Sequence, residues 1–117
     1  MKKVFVFGSN EAGRHGAGAA LEARRFHGAI YGCGRGLQGS SYAIPTKDRD
    51  LKPRTLEQIR VDVEIFLDAA RESPPGIIYQ VTPIGCGLAG FKPEQIGPLF
   101  KGAPANVELP SAWEKYR

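Results

Sequence analysis

The chain has 117 residues, 42% hydrophobic and 24% charged, which suits one small globular domain and leaves no room for a second core. Its net charge of +4 is unevenly held: residues 1–55 carry ten Lys and Arg against four Asp and Glu, and residues 56–117 carry six against eight, so the basic half suits an anionic partner or forms a solvated face. No apolar run approaches the ~18 residues of a membrane span, and Val4 to Phe7 is too short for a signal peptide, so a soluble, cytoplasmic protein with no membrane partner is expected.

Lys3 to Phe7 is a β-branched and aromatic run ending at Gly8 and reads as a buried strand. Gly8 to Gly16 follows as a loop. Ala17 to Phe26 reads as a short helix with a small apolar face, stopped by Gly28. The glycine-rich residues 28–41 read as a loop, Tyr42 to Ile44 as a short strand ended by Pro45 and Thr46, and Lys47 to Arg54 as a charged connector. Thr55 and Gln58 form a capping box, and Leu56, Ile59, Val63, Phe66, Leu67 and Ala70 give one apolar helix face reaching about Glu72. Ile77 to Thr82 is the next strand and Ile84 to Gly90 a second glycine loop. A short helix from Pro93 to Phe100 is interrupted at Gly97-Pro98, and Ala105 to Leu109 is a final strand. Trp113 and Tyr116 fit as cover for the edge of the core or for a partner. This order predicts one α/β domain over residues 1–117, a sandwich around a largely parallel or mixed sheet.

In such a sheet, ligands sit beyond the carboxyl ends of the strands. Three segments fall there: Gly8 to Gly18, Ile44 to Asp48, and Pro83 to Phe91. The first is not a Walker A loop, because Arg14-His15 stands where Lys-Ser/Thr is needed, and its glycines are out of register with a dinucleotide fingerprint. Glycines there still let main-chain N–H groups approach a diphosphate, or simply make tight turns. Cys33 and Cys86 lack a histidine–carboxylate arrangement and read as reduced, small thiols. With His15 and His27 they make no zinc spacing, so no metal is expected. His15 is expected to open the first helix, facing phosphate or solvent, and His27 to lie on the surface near that helix's end.

Four pieces in order resemble the macro domain family: Gly16-Ala17-Gly18-Ala19-Ala20 with Arg24-Arg25-Phe26; Tyr42 to Lys47; Lys52-Pro53 with Thr55-Leu56-Glu57; and Pro83-Ile84-Gly85-Cys86-Gly87-Leu88. The resemblance spans roughly residues 8–91 and is closest to the small branch that includes the terminal ADP-ribose–protein glycohydrolase and the antitoxins reversing DNA ADP-ribosylation. It implies a compact three-layer α/β sandwich that takes ADP-ribose, with no cofactor. Gly16, Ala17, Gly18 and Ala19 would hold the diphosphate together with Gly85, Cys86, Gly87 and Leu88, and Ser9 and Thr46 would join the site. Asn10 and Glu11 would lie near a ribose or the adenine. The lysine matching Lys47 is the family's proposed nucleophile, attacking the ring-opened distal ribose, a role that burial or Arg49 and Arg54 would assist by keeping the amine neutral. A fixed cation facing phosphate is its other role. The glycohydrolase has an aspartate where this chain has Ala89, which leaves Asp48 or Asp50 as substitutes or as surface residues.

Three functions follow as expectations. The first is release of ADP-ribose from a protein or nucleic acid through Lys47, and the second is binding of ADP-ribose or a related nucleotide without turnover. The third is nucleic-acid binding by the basic N-terminal half, where Phe26, Tyr31 and Tyr42 form no recognised motif.

Overall fold

A computed structural model describes residues 2–117. Strand β1 (Lys2–Asn10) points Val4 and Val6 to one face and Phe5 and Phe7 to the other, and all four are buried. A strand apolar on both faces has to be central. Accordingly β1 pairs in parallel with β3 (Ser41–Lys47) on one side and β4 (Ile77–Val81) on the other. The short strands β2 (Gly36–Gln38) and β5 (Val107–Glu108) complete the order β2-β3-β1-β4-β5, with only β2 antiparallel.

Parallel strands need crossover connections, and the helices of the first two lie on opposite faces. Helix α1 (Gly18–Phe26) packs Ala20 and Ala23 against Phe5, Phe7 and Ala43, small residues that let helix and sheet approach closely. Helix α2 (Leu56–Glu72) buries Ile59, Val63, Phe66, Leu67 and Ala70 on the other face. Beside it lie helix α3 (Pro93–Ile96) and the 3-10 turns Gly97–Phe100 and Ser111–Tyr116. The larger core is centred on Phe66, whose ring lies 5.0 Å from Tyr42, 5.5 Å from Tyr79 and 6.4 Å from Phe100. Trp113, 1% exposed, packs on Phe100, so the C-terminal turn covers this core. The result is the expected α/β fold, three layers around a mixed, mostly parallel sheet. No helix among the described residues is long and apolar enough to cross a membrane.

Four local expectations change. The first strand continues past Gly8 to Asn10, and the third runs through Pro45 to Lys47, because the two strands pair along this stretch with a shift between Ser9 and Asn10. Pro45 is tolerated because its carbonyl accepts from Arg54 Nη1 at 2.8 Å, so its main-chain edge faces away from β1 and no ladder bond is lost. Residues 28–41 contain β2, stabilised by pairing with Ser41 to Ala43 rather than by local propensity. The first helix begins at Gly18, and His15 before it is fully buried instead of facing phosphate or solvent.

Candidate functional site

The carboxyl ends of β1, β3 and β4 and the start of α1 surround a cleft of about 530 Å³, within the range of small-molecule sites. Gly8, Ser9 and Asn10 form its floor with Thr46 and Lys47. Gly16 to Ala20 form one wall and Thr82 to Gly85 with Gly87 to Ala89 the other. The close approach of floor and wall explains Gly8: a Cβ there would lie 3.3 Å from Gly85 N.

Both walls present unused main-chain donors. Ala17 caps α1 with no side-chain hydrogen bond, and the N–H groups of residues 16–20 meet no acceptor among the described residues. The N–H groups of Gly87, Leu88 and Ala89 are likewise unpaired, while the neighbouring Cys86 and Gly90 amides bond to Pro83 and Gly87 carbonyls at 3.2 and 3.0 Å. Such runs of amides, one at a helix start, concentrate partial positive charge. Among the described residues, the charged side chains lining the cleft are Arg14 and Lys47, and no Asp or Glu lines it. An anionic group is what this surface can hold.

The first loop is held by main-chain contact. A Cβ on Gly13 would strike Gly32 and Cys33, and one on Gly34 would strike Asn10, so residues 10–16 lie directly on residues 32–34. Gly32 N–H donates to Gly13 O at 2.8 Å and Ser9 Oγ donates to Gly34 O. His15 Nε2 donates to Cys33 O at 2.9 Å, while its Nδ1 is buried without a partner among the described residues. This packing brings Tyr31 into the cleft, with the Arg24 guanidinium 4.8 Å from its ring centre.

Behind the floor lies an ion network. Asp62, on α2 with a side chain only 7% exposed, receives Arg35 as a two-point fork at 2.7 and 3.1 Å and Arg54 at 2.7 Å. Burial pushes the Asp62 carboxyl up, but hydrogen bonds from the two arginines outweigh it and hold the group below its usual range. Glu11 faces the same arginines more loosely, 3.8 Å from Arg35 and 3.7 Å from Arg54. Arg54 is thereby drawn to Asp62, its charge compensated there, and Arg49 is exposed. Lys47 has no carboxylate within 4.0 Å among the described residues.

Of the residues singled out by sequence, Ser9, Asn10, Gly16, Ala17, Gly18, Ala19, Thr46, Lys47, Gly85, Gly87 and Leu88 meet around this cleft. Several of their side chains are already committed. Asn10 Oδ1 accepts from Arg14 N–H at 2.9 Å and its Nδ2 donates to Arg14 O at 3.0 Å, and Thr46 Oγ1 donates to Ser9 O at 3.3 Å. Glu11 and Cys86 do not line the cleft. Glu11 turns to the arginines, and Cys86 packs against the larger core, where burial, with Glu94 adding to it, pushes its thiol up and makes the thiolate scarcer. Asp48 Oδ1 accepts the N–H groups of Asp50 and Lys52 at 2.9 and 3.0 Å, and Asp50 is exposed, so neither takes the place facing Ala89. His27 stacks on Phe5 at 4.3 Å and lies 3.5 Å from Glu22.

Sequence reasoning missed Arg14, Tyr31 and Leu51 as lining residues. The signal for Leu51 was faint: the turn that Asp48 organises sets it at φ +62, an uncommon conformation for leucine that presents it at the rim. No family model matches the chain, and no curated protein or solved structure matches it.

Proposed function

We propose that the protein is a macro-like domain that recognises ADP-ribose. The observation that carries this reading is the pair of unpaired amide runs, 16–20 and 87–89, lining one cleft whose charged side chains are Arg14 and Lys47. In this reading the diphosphate lies between the two walls and Lys47 faces the distal ribose. The free thiols of Cys33 and Cys86 fit a cytoplasmic protein.

The catalytic form of the reading has Lys47 Nζ, as the neutral amine, attack C1 of the ring-opened distal ribose. The N–C bond forms as the bond to the acceptor breaks, the acceptor leaves with the amine's proton, and water then adds at C1 of the adduct so that the C–N bond breaks, freeing ADP-ribose and restoring the Lys47 amine. A second form, binding without turnover, is favoured by the lining itself: with Ala89 in place and Asp48 engaged in its own turn, no carboxylate is at hand to move that proton.

Calorimetry with ADP-ribose, AMP and NAD tests the shared premise. ADP-ribose is expected to bind more tightly than AMP, and failure to bind any of the three overturns the reading. A Lys47→Ala variant that binds ADP-ribose but no longer releases it from a modified protein or nucleic acid identifies the enzyme. No release by the wild type identifies the binding module. Salt-dependent binding of plain DNA or RNA that ADP-ribose does not displace would point instead to nucleic acid as the partner.

A further inference from the structure

The most heavily paired charges in the molecule lie outside the cleft. Asp62 sits among the apolar residues of α2, 7% exposed, and Arg54, with a side chain 9% exposed, is almost as deeply buried. Packing alone would be served by an apolar residue there, because desolvating an ion pair offsets most of its attraction. What the two arginines hold gives the pair a purpose.

Arg54 grips the end of β3 twice. Its side chain donates to Pro45 O at 2.8 Å and its main-chain N–H to Thr46 O at 2.9 Å, the two residues immediately before Lys47. Arg35 belongs to the other segment behind the cleft, the loop that carries Tyr31 into it and lies on the main chain of residues 10–13. Asp62 ties both arginines to α2, the longest helix, which is anchored by its buried face. Among the described residues, Glu11 is the other carboxylate that faces both arginines, but at 3.8 Å from Arg35 and 3.7 Å from Arg54 it holds them more loosely than Asp62 does.

We propose that Asp62 is a positioning residue for the cleft, setting the strand end that carries Lys47 through Arg54 and the loop that carries Tyr31 through Arg35. It touches no ligand. With Asp62 neutral or absent, the buried Arg54 and the half-exposed Arg35 lose their close common acceptor and keep only the looser contacts to Glu11, and both segments open locally while the sheet stays paired. As far as it concerns ADP-ribose the inference rests on the proposed function, but the geometry of Lys47 can be read without any ligand.

The test uses Asp62→Asn and Asp62→Ala in the full chain, with two readouts taken well below the melting temperature. One is the rate of Lys47 acylation by an amine-directed reagent, relative to the exposed Lys92 and Lys101 of the same molecule. The other is amide hydrogen exchange over residues 28–36 and 44–54. Both variants are expected to change the Lys47 rate several-fold relative to its internal controls and to speed exchange in both segments, with β1 and β4 protected as in the wild type. A merely stabilising Asp62 would lower the melting temperature and leave those ratios alone, and that result overturns the proposal.

ADP-ribose affinity is expected to fall by about 10- to 100-fold, the effect of displacing positioned groups by a fraction of an ångström to one ångström. If the wild type binds no ADP-ribose, the proposed function fails, while acylation and exchange still decide the role of Asp62. If both Asp62 variants unfold, Arg35→Gln carries the test, since that side chain is half exposed. Faster exchange over 28–36 with 44–54 unchanged supports the proposal, and no change in 28–36 overturns it.

Discussion

Gly16 and Gly87 offer a direct test of what the cleft walls are for. A Cβ built on either meets no heavy atom within 4 Å, and neither residue has a positive φ. Alanine should therefore fit the folded chain without strain. By narrowing the unfolded ensemble, each replacement is expected to stabilise the protein by about 0.4–1 kcal/mol. For a chain of this size that is a rise in melting temperature of a few degrees.

The same methyl groups stand beside the unpaired amides. Any penalty they impose falls on the occupant of the cleft rather than on the protein. Loss of one charge-assisted hydrogen bond to a phosphate is worth about 1.5–3 kcal/mol, so ADP-ribose binding should weaken roughly 10- to 150-fold. Thermal unfolding and calorimetry on the same preparations read the two effects separately. Gly13→Ala is the control: at φ +70 its Cβ would strike the main chain of Gly32 and Cys33, so it should destabilise by about 1–3 kcal/mol from overpacking alone. If Gly16→Ala and Gly87→Ala bind ADP-ribose like the wild type, or lose stability as Gly13→Ala does, the glycines serve the turns and the diphosphate assignment is refuted.

Three further outcomes are expected. Arg14→Ala should weaken ADP-ribose binding by about 3- to 10-fold at low salt, with the difference shrinking as salt is added and the attraction is screened, as calorimetry over a salt series would show. Because the folded-state pKa of Asp62 lies below its unfolded value, its stabilisation is present at neutral pH and is lost as the pH falls from about 4 downward; the stability gap between wild type and Asp62→Asn in denaturant titrations should narrow over that range. Phe66→Ala, removing the ring between Tyr42, Tyr79 and Phe100, should cost about 3–5 kcal/mol in chemical unfolding, a large part of the stability of a domain this small.

The elements that announced themselves in the sequence are those whose determinants are local. Helix α2 has its capping box at Thr55 and Gln58, with both reciprocal bonds present, and its apolar spacing puts Ile59, Val63, Phe66 and Leu67 on one buried face. The strand-end rule likewise brought most of the candidate residues to one cleft. What was hidden depends on partners far along the chain. Strand β2 exists by pairing with β3, and β1 outlasts Gly8 because β3 continues beside it. The glycines of residues 28–39 looked like slack; Gly34 and Gly39 prove to be main-chain packing sites, where a Cβ would run into Asn10 or Gly28. The Asp62 network left one sign, a carboxylate three residues from Ile59 beside an otherwise apolar helix face. Its arginine partners are 27 and 8 residues away, a pairing that spacing does not disclose.

The composition of the cleft walls bears on how binding is driven. Across Gly16 to Ala20 and Gly85 to Ala89, only Cys86 and Leu88 have side-chain torsions to lose. Holding a ligand between walls of main chain, glycine and alanine therefore freezes few rotamers, and that unfavourable entropy, about 0.5–1.5 kcal/mol for each immobilised side chain, is confined to Arg14, Tyr31, Lys47, Leu51 and Leu88. The anionic centre of a ligand thus meets a rigid surface, and its two ends meet adjustable ones. Substitutions at Tyr31, Leu51 and Leu88 should retune which ends are accepted, whereas those at Arg14 and Lys47 also remove charge that attracts the centre.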